Sequence, residues 1–176
     1  MKTIQNLAKS TVVALTILLS SCSKDSAPLP TPPAPAASKS FITAKVDGVD
    51  FTTNIFGASS ASASRSQPDG IDLIQILGTE LSANSIAITL IGVTTTGTYT
   101  IDPSTDGSVL AYTPSSGGVS FGTGGCAGSG GTLTVTYIDN KKIEGTFSFV
   151  GKDVDHCETA GTKTITNGSF RGVFVN

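Results

Sequence analysis

The 176-residue chain carries 11 basic and 13 acidic residues with one histidine, a formal net charge of −2. A lysine-poor chain in which only 14% of residues are charged lacks the clustered positive charge that phosphate backbones require, which excludes a nucleic-acid partner. Gly, Ser and Thr are abundant and Trp is absent, a composition suited to an exported β-protein whose outer face is solubilised by hydroxyls.

Lys2 and Lys9 precede an almost wholly apolar run from Thr11 to Leu19 that ends in small residues, the order of a secretory leader. The run is shorter than the ~20 apolar residues a spanning helix needs. Leu19-Ser20-Ser21-Cys22 resembles the bacterial lipobox. That resemblance implies removal of residues 1–21, a diacylglycerol on the Cys22 sulfur and an acyl chain on its new amine. Each buried CH₂ contributes roughly 0.8 kcal/mol, so two or three chains on one cysteine anchor a protein durably where a single chain does not. The alternative is an ordinary leader cut near Cys22 with the polypeptide released, but such sites favour an Ala-x-Ala-like pattern that is missing here. Loss of Lys2 and Lys9 takes the net charge to about −4.

Ser23-Lys24-Asp25 resembles the short charged signal that sends Bacteroidota lipoproteins across the outer membrane to the cell surface, although Ser26 stands where that pattern continues with another acid. Asp25-Ser26-Ala27 resembles a Bacteroidota O-glycosylation acceptor and makes Ser26 a candidate for modification. The expected localisation is the outer membrane, lipid-anchored and facing the exterior. Residues 22–40 read as a tether, with five prolines between Ser26 and Ser40 and no apolar periodicity. Proline biases such a segment to an extended form at ~3.1 Å per residue, long enough to hold a domain up to ~50 Å from the lipid.

Residues 41–176 suit one domain with a single core. Apolar residues recur there with period two, which predicts an all-β fold, an antiparallel β-sandwich or partly closed barrel built mostly of meander hairpins with no significant helix. Strands are expected at Phe41 to Val46, Val49 to Thr53, Ile71 to Leu77, Ser85 to Ile91, Thr98 to Ile101, Val109 to Tyr112 and Ser169 to Val175. Asp47-Gly48 supplies the residue types of a type I′ turn between the first two. The parity change at Leu73-Ile74 predicts a bulge or burial on both faces. Thr132 to Tyr137 alternates throughout, with Leu133, Val135 and Tyr137 on the inner face and Thr132, Thr134 and Thr136 on the outer. Asp139-Asn140 turns the chain, and Ile143, Gly145, Phe147 and Phe149 continue the inner face on the return, with the two phenylalanines anchoring the core.

Phe41 to Phe51, Gly97-Thr98-Tyr99, Gly145-Thr146-Phe147-Ser148-Phe149 and Ile165 to Phe170 succeed one another in the order of landmarks in a family of Bacteroidota lipoproteins of unknown function, and the chain resembles that family over nearly the whole domain. The resemblance implies an all-β exported domain and carries over no catalytic residue.

With Cys22 assigned to lipid, Cys126 and Cys157 form an even pair in an oxidising compartment, and a disulfide between them is the favoured reading over two free thiols or bonds to other chains. Lys152 to Glu158 holds the sole histidine, His156, beside Cys157. Sequence neighbours rarely meet as nucleophile and base, and a disulfide removes the nucleophile, so no catalysis is expected. Asp153, Asp155 and Glu158 could offer oxygens to Ca²⁺, but their spacing matches no EF-hand loop, and a solvated acidic loop is the simpler reading. The glycine-rich stretch Gly122 to Gly131 lacks the lysine and succeeding helix of a phosphate cradle and reads as a flexible loop tethered only by Cys126. The outer threonine stripe is what a solvent-facing strand prefers, and Asp102 to Gly107 reads as turn chemistry.

No cofactor is implied. The expectation is a surface-displayed binding or adhesion module whose loops meet an unknown protein or polysaccharide, touching the membrane through its anchor alone. The alternative is a barrel that carries a small apolar ligand, which requires an interior cavity of several hundred Å³.

Overall fold

Period-two alternation becomes thirteen strands in the computed structural model, which describes residues 39–104, 107–116, 118–158 and 161–175. The leader, Cys22, Ser26 and the tether as far as residue 38 lie outside the described residues. Chain order is β1 (Phe41–Val46), β2 (Val49–Thr52), a two-stranded ear of β3 (Asn54–Ile55) and β4 (Ala58–Ser59), β5 (Ser62–Ser66), a 3₁₀ turn at Pro68–Gly70, β6 (Leu73–Thr79), β7 (Ser85–Ile91), β8 (Gly97–Ile101), β9 (Val109–Thr113), β10 (Phe121–Gly122), β11 (Gly130–Ile138), β12 (Lys142–Asp153) and β13 (Thr162–Val173). No α-helix occurs among the described residues, so none there is long and apolar enough to cross a membrane.

Eleven strands form one antiparallel sheet whose main path runs β2-β1-β13-β12-β10-β9-β7-β6-β5. It branches at β12, where residues 143–150 pair with β11 while Lys152 and Asp153 pair with β10; β8 then pairs with the free side of β11. The far strand β5 curls back to meet the chain after β13 through a bridge between Ala63 and Phe174. The sheet is thus a partly closed barrel, and mostly hairpin connections build it.

Inward side chains fill that barrel. Ile42, Ile74, Ile86, Ile88, Leu90, Leu110, Leu133, Ile143 and Ile165 are completely buried in one cluster. Phe147 packs 6.3 Å from Phe149 and 6.2 Å from Phe170, ring centre to ring centre, and burial of each such ring is worth roughly 1.5–3 kcal/mol. Inward glycines make room for these rings: a Cβ at Gly145 would lie 2.8 Å from Phe170 Cε1, and one at Gly168 would lie 2.7 Å from Phe147 Cδ1.

Two bulges correct the expected parity. In β11 the register passes from Val135–Gly145 to Tyr137–Glu144, so Thr136 is an extra residue and Tyr137 turns outward, 41% exposed, while Ile138 takes the inner side. In β13, Phe147 pairs with Gly168 and Phe149 with Ile165, which leaves Thr166-Asn167 bulged with Asn167 at φ 52°. Asn tolerates that left-handed conformation better than most residues. The strand therefore runs from Thr162 and keeps Ile165, Gly168, Phe170 and Gly172 inside.

No bulge occurs at Leu73-Ile74, where both neighbouring registers are continuous. Instead the inward parity is Asp72, Ile74, Ile76, and the inward carboxylate is neutralised by Arg65, whose Nε and Nη2 donate to Asp72 Oδ1 and Oδ2 at 2.8 and 3.0 Å. Ser40, assigned to the tether from sequence, is already buried, and its hydroxyl accepts a 2.9 Å hydrogen bond from the Val173 N–H.

Candidate functional site

Alternating strand direction gathers the β1–β2, β6–β7, β9–β10 and β12–β13 connections at one mouth of the barrel. Asp47 and Gly48 turn β1 into β2 with φ of 49° and 85°, the two positive values a type I′ turn needs. The Asp47 carboxylate accepts from Lys163 Nζ at 2.8 Å and from the Thr164 N–H at 2.9 Å, pinning the turn to β13. The Lys163 hydrogen bond, aided by that of Thr164, holds Asp47 below the usual carboxylate range. Lys45 and Asp50 pair beside it at 2.6 Å. Across the mouth, the Glu80 N–H donates to the Asn84 carbonyl at 2.9 Å, closing the β6–β7 turn. The Asn84 amide donates to the Glu80 carboxylate, and Asn84 Oδ1 accepts from the Ser115 N–H at 2.9 Å, tying two connections together.

Between these turns lies a cleft of about 240 Å³ whose lining includes Val49, Phe51, Glu80, Asn84, Tyr112 and Lys163. Tyr112 is the last inward residue of β9, and its ring joins the core cluster with 7% of the residue exposed. Its hydroxyl has no hydrogen-bond partner among the described residues, and no fully buried side-chain nitrogen or oxygen there lacks one, so the phenol oxygen is the part that reaches the open cleft. Burial first, and then the Glu80 carboxylate, push the Tyr112 pKa upward and keep the group a proton donor. Asp47 and Asp50 each have a lysine, whereas Glu80 has no ion-pair partner among the described residues. The mouth thus offers a donor, an acceptor and an apolar wall within a small volume.

A second cluster stands on the Cys126–Cys157 disulfide, with Cα atoms 5.4 Å apart, which joins the β10–β11 and β12–β13 connections. Asp153 is buried at the end of β12, and its carboxylate accepts from the Asp155 N–H at 3.0 Å and meets His156 Nδ1 at 2.8 Å. The backbone hydrogen bond first, then that of His156, lower its pKa. Both Asp153 oxygens are therefore committed to shaping the turn, and Asp155 and Glu158 face solvent, so the three acids do not assemble as Ca²⁺ ligands; no metal-ligand group of His, Cys, Asp or Glu gathers among the described residues. The glycine-rich connection has further tethers besides Cys126. Buried Thr123 exchanges hydrogen bonds with the Leu110 backbone, and the Ser129 hydroxyl lies 3.0 Å from the Thr123 carbonyl and 2.7 Å from that of Cys126. Among the outward threonines, Thr134 Oγ1 lies 3.1 Å from Thr98 Oγ1 and Thr136 donates to the Glu144 carbonyl at 3.2 Å.

Sequence reasoning singled out Cys126 and Cys157, which the fold brings together, but not Glu80 or Asn84, and it did not set Tyr112 apart from Tyr99 and Tyr137 as an aromatic that could meet a sugar. The meeting of Tyr112, Glu80 and Asn84 depends on pairing between β7 and β9, in which Ile86 stands opposite Tyr112. A family model described as Domain of unknown function (DUF6252) matches residues 42–175. No curated protein and no solved structure matches the chain.

Proposed function

The chain belongs to the DUF6252 family, a membership that assigns no activity, and on that footing we propose that it is a lipid-anchored binding module of the outer membrane, displayed at the cell surface through Cys22, with no catalytic role. The leader order and the Leu19-Ser20-Ser21-Cys22 sequence support the anchor. The observation that carries the binding role is the contrast between a filled interior and a furnished mouth. Aromatic rings occupy the space beside inward glycines, which favours a rigid scaffold over a carrier of a small apolar ligand. The clustered connections instead present polar groups at one end.

Two measurements on cells test this reading. Cys22→Ser should move the protein from the membrane fraction to the soluble fraction; continued sedimentation with membranes refutes the anchor. Protease added to intact cells should remove the domain, and full protection there refutes surface display.

A further inference from the structure

We propose that the cleft at the barrel mouth is a saccharide site that takes one neutral sugar ring, with the Tyr112 hydroxyl donating to a sugar oxygen and the Glu80 carboxylate accepting from a neighbouring sugar hydroxyl. The inference names the ligand class of the binding module proposed above and rests on that reading.

The first support is the state of Tyr112. It is 7% exposed, its ring is fixed by core packing, and its hydroxyl opens into the cleft without a hydrogen-bond partner among the described residues. A phenol held in that way is a preset donor whose partner must come from outside the fold. Charge narrows the partner. Lys163 is already bonded to Asp47 and Lys45 to Asp50, which leaves Glu80 as the charge without an ion-pair partner among the described lining residues and disfavours an anionic ligand. An ammonium ion would satisfy Glu80 but offers no acceptor for the phenol proton. A hydroxyl both donates and accepts, so adjacent hydroxyls on one ring satisfy Glu80 and Tyr112 together.

Size and shape narrow it further. The cleft holds about 240 Å³, below the roughly 300–1,000 Å³ of sites for drug-sized ligands, so it suits one ring of a glycan. Val49, 71% exposed at the rim, and the buried Phe51 give an apolar wall for the C–H face of that ring.

The test uses the full chain in detergent with isotope-labelled tyrosine. Only three tyrosines are present, and the NMR signal that vanishes in Tyr112→Phe identifies Tyr112. Methyl glucoside, methyl galactoside, methyl mannoside and N-acetylglucosamine are titrated, with methylammonium as the cationic probe. At least one sugar should shift the Tyr112 signal saturably and leave Tyr99 and Tyr137 in place. Glu80→Gln should weaken that sugar roughly tenfold, the loss of one charge-assisted hydrogen bond, and Tyr112→Phe should do likewise when binding is read by saturation transfer. Val49→Asp, at an exposed position that the fold does not need, should also weaken it. The proposal is overturned if no sugar moves the Tyr112 signal, if all three variants bind as the parent does, or if methylammonium acts at lower concentration than every sugar. An envelope component captured equally by the parent and the Tyr112→Phe and Glu80→Gln variants refutes the cleft and spares the module. A sugar response from a chain that is protected on intact cells spares the cleft and refutes surface display.

Discussion

Asp72→Asn is expected to destabilise the domain by about 3 kcal/mol at neutral pH. The Asp72 side chain is 9% exposed and that of Arg65 17%, so neither charge is well solvated. Arg65 also donates from Nη1 to the Asp139 carbonyl at 3.0 Å and stands 5.9 Å from the centre of the Phe174 ring. It therefore links β5 to the β11–β12 turn and to the residue that closes the barrel. Breaking a buried pair by removing one partner costs ~3–5 kcal/mol, because the other charge stays behind uncompensated; the lower end applies since Arg65 keeps some contact with water. The Arg65 hydrogen bond, assisted by Gln67, holds Asp72 below the ordinary carboxylate range. A depressed carboxylate stabilises the fold above its unfolded pKa of about 4, and that stabilisation is lost as pH falls through the lower folded value. Urea unfolding of parent and variant from pH 7 to pH 2.5 should show a gap that narrows below about pH 4. A gap under 1 kcal/mol at pH 7, or one that stays constant to pH 2.5, would refute the argument.

Two other perturbations draw on the same geometry. Replacing Cys126 and Cys157 together by Ala should cost about 3–4 kcal/mol, the loop-closure entropy of a crosslink spanning 31 residues; non-reducing peptide mass mapping checks the bond, and a loss under 1 kcal/mol in urea unfolding contradicts the estimate. Gly145→Ala should cost about 2–3 kcal/mol or prevent folding, because its Cβ would meet the Thr134 carbonyl oxygen at 2.1 Å as well as the Phe170 ring. Gly48→Ala has nothing within 4 Å and a φ of 85°, so it should cost only about 1 kcal/mol of backbone strain. Thermal melts that reverse this order would show that close approach at Gly145 is relieved elsewhere.

Alternation made the barrel legible wherever each strand faces the core with one side: β7 was readable from Ser85 to Ile91 because Ile86, Ile88 and Leu90 point in without interruption. It failed where one residue is inserted. Thr136 and the Thr166-Asn167 bulge each reverse the parity of the strand residues beyond them, and only a partner strand reveals an inserted residue. Asp72 misled for a different reason, since its inward position depends on Arg65 across the β5–β6 hairpin. The Cys126–Cys157 bond was legible by counting, whereas the cleft joins side chains from separate hairpins and has no local signature.

The position of the chain entry bears on what the mouth can do. β1 begins beside Ser40, whose hydroxyl is bonded to Val173 near the end of β13, and it finishes at the Asp47–Gly48 turn on the rim of the cleft. Six residues at ~3.3 Å each separate these points by ~20 Å. The Arg65–Asp72 pair and its contact with Asp139 occupy the entry end, where β5 meets the chain after β13. The Arg65–Asp72 clamp and the barrel closure thus lie where the preceding segment joins, and the Tyr112 phenol and the Glu80 carboxylate lie at the opposite end. The clamp that stabilises the fold therefore shares no side chain with the groups proposed to meet a ligand. Substitutions at Asp72 and at Tyr112 should for that reason act independently, one on unfolding and the other on binding.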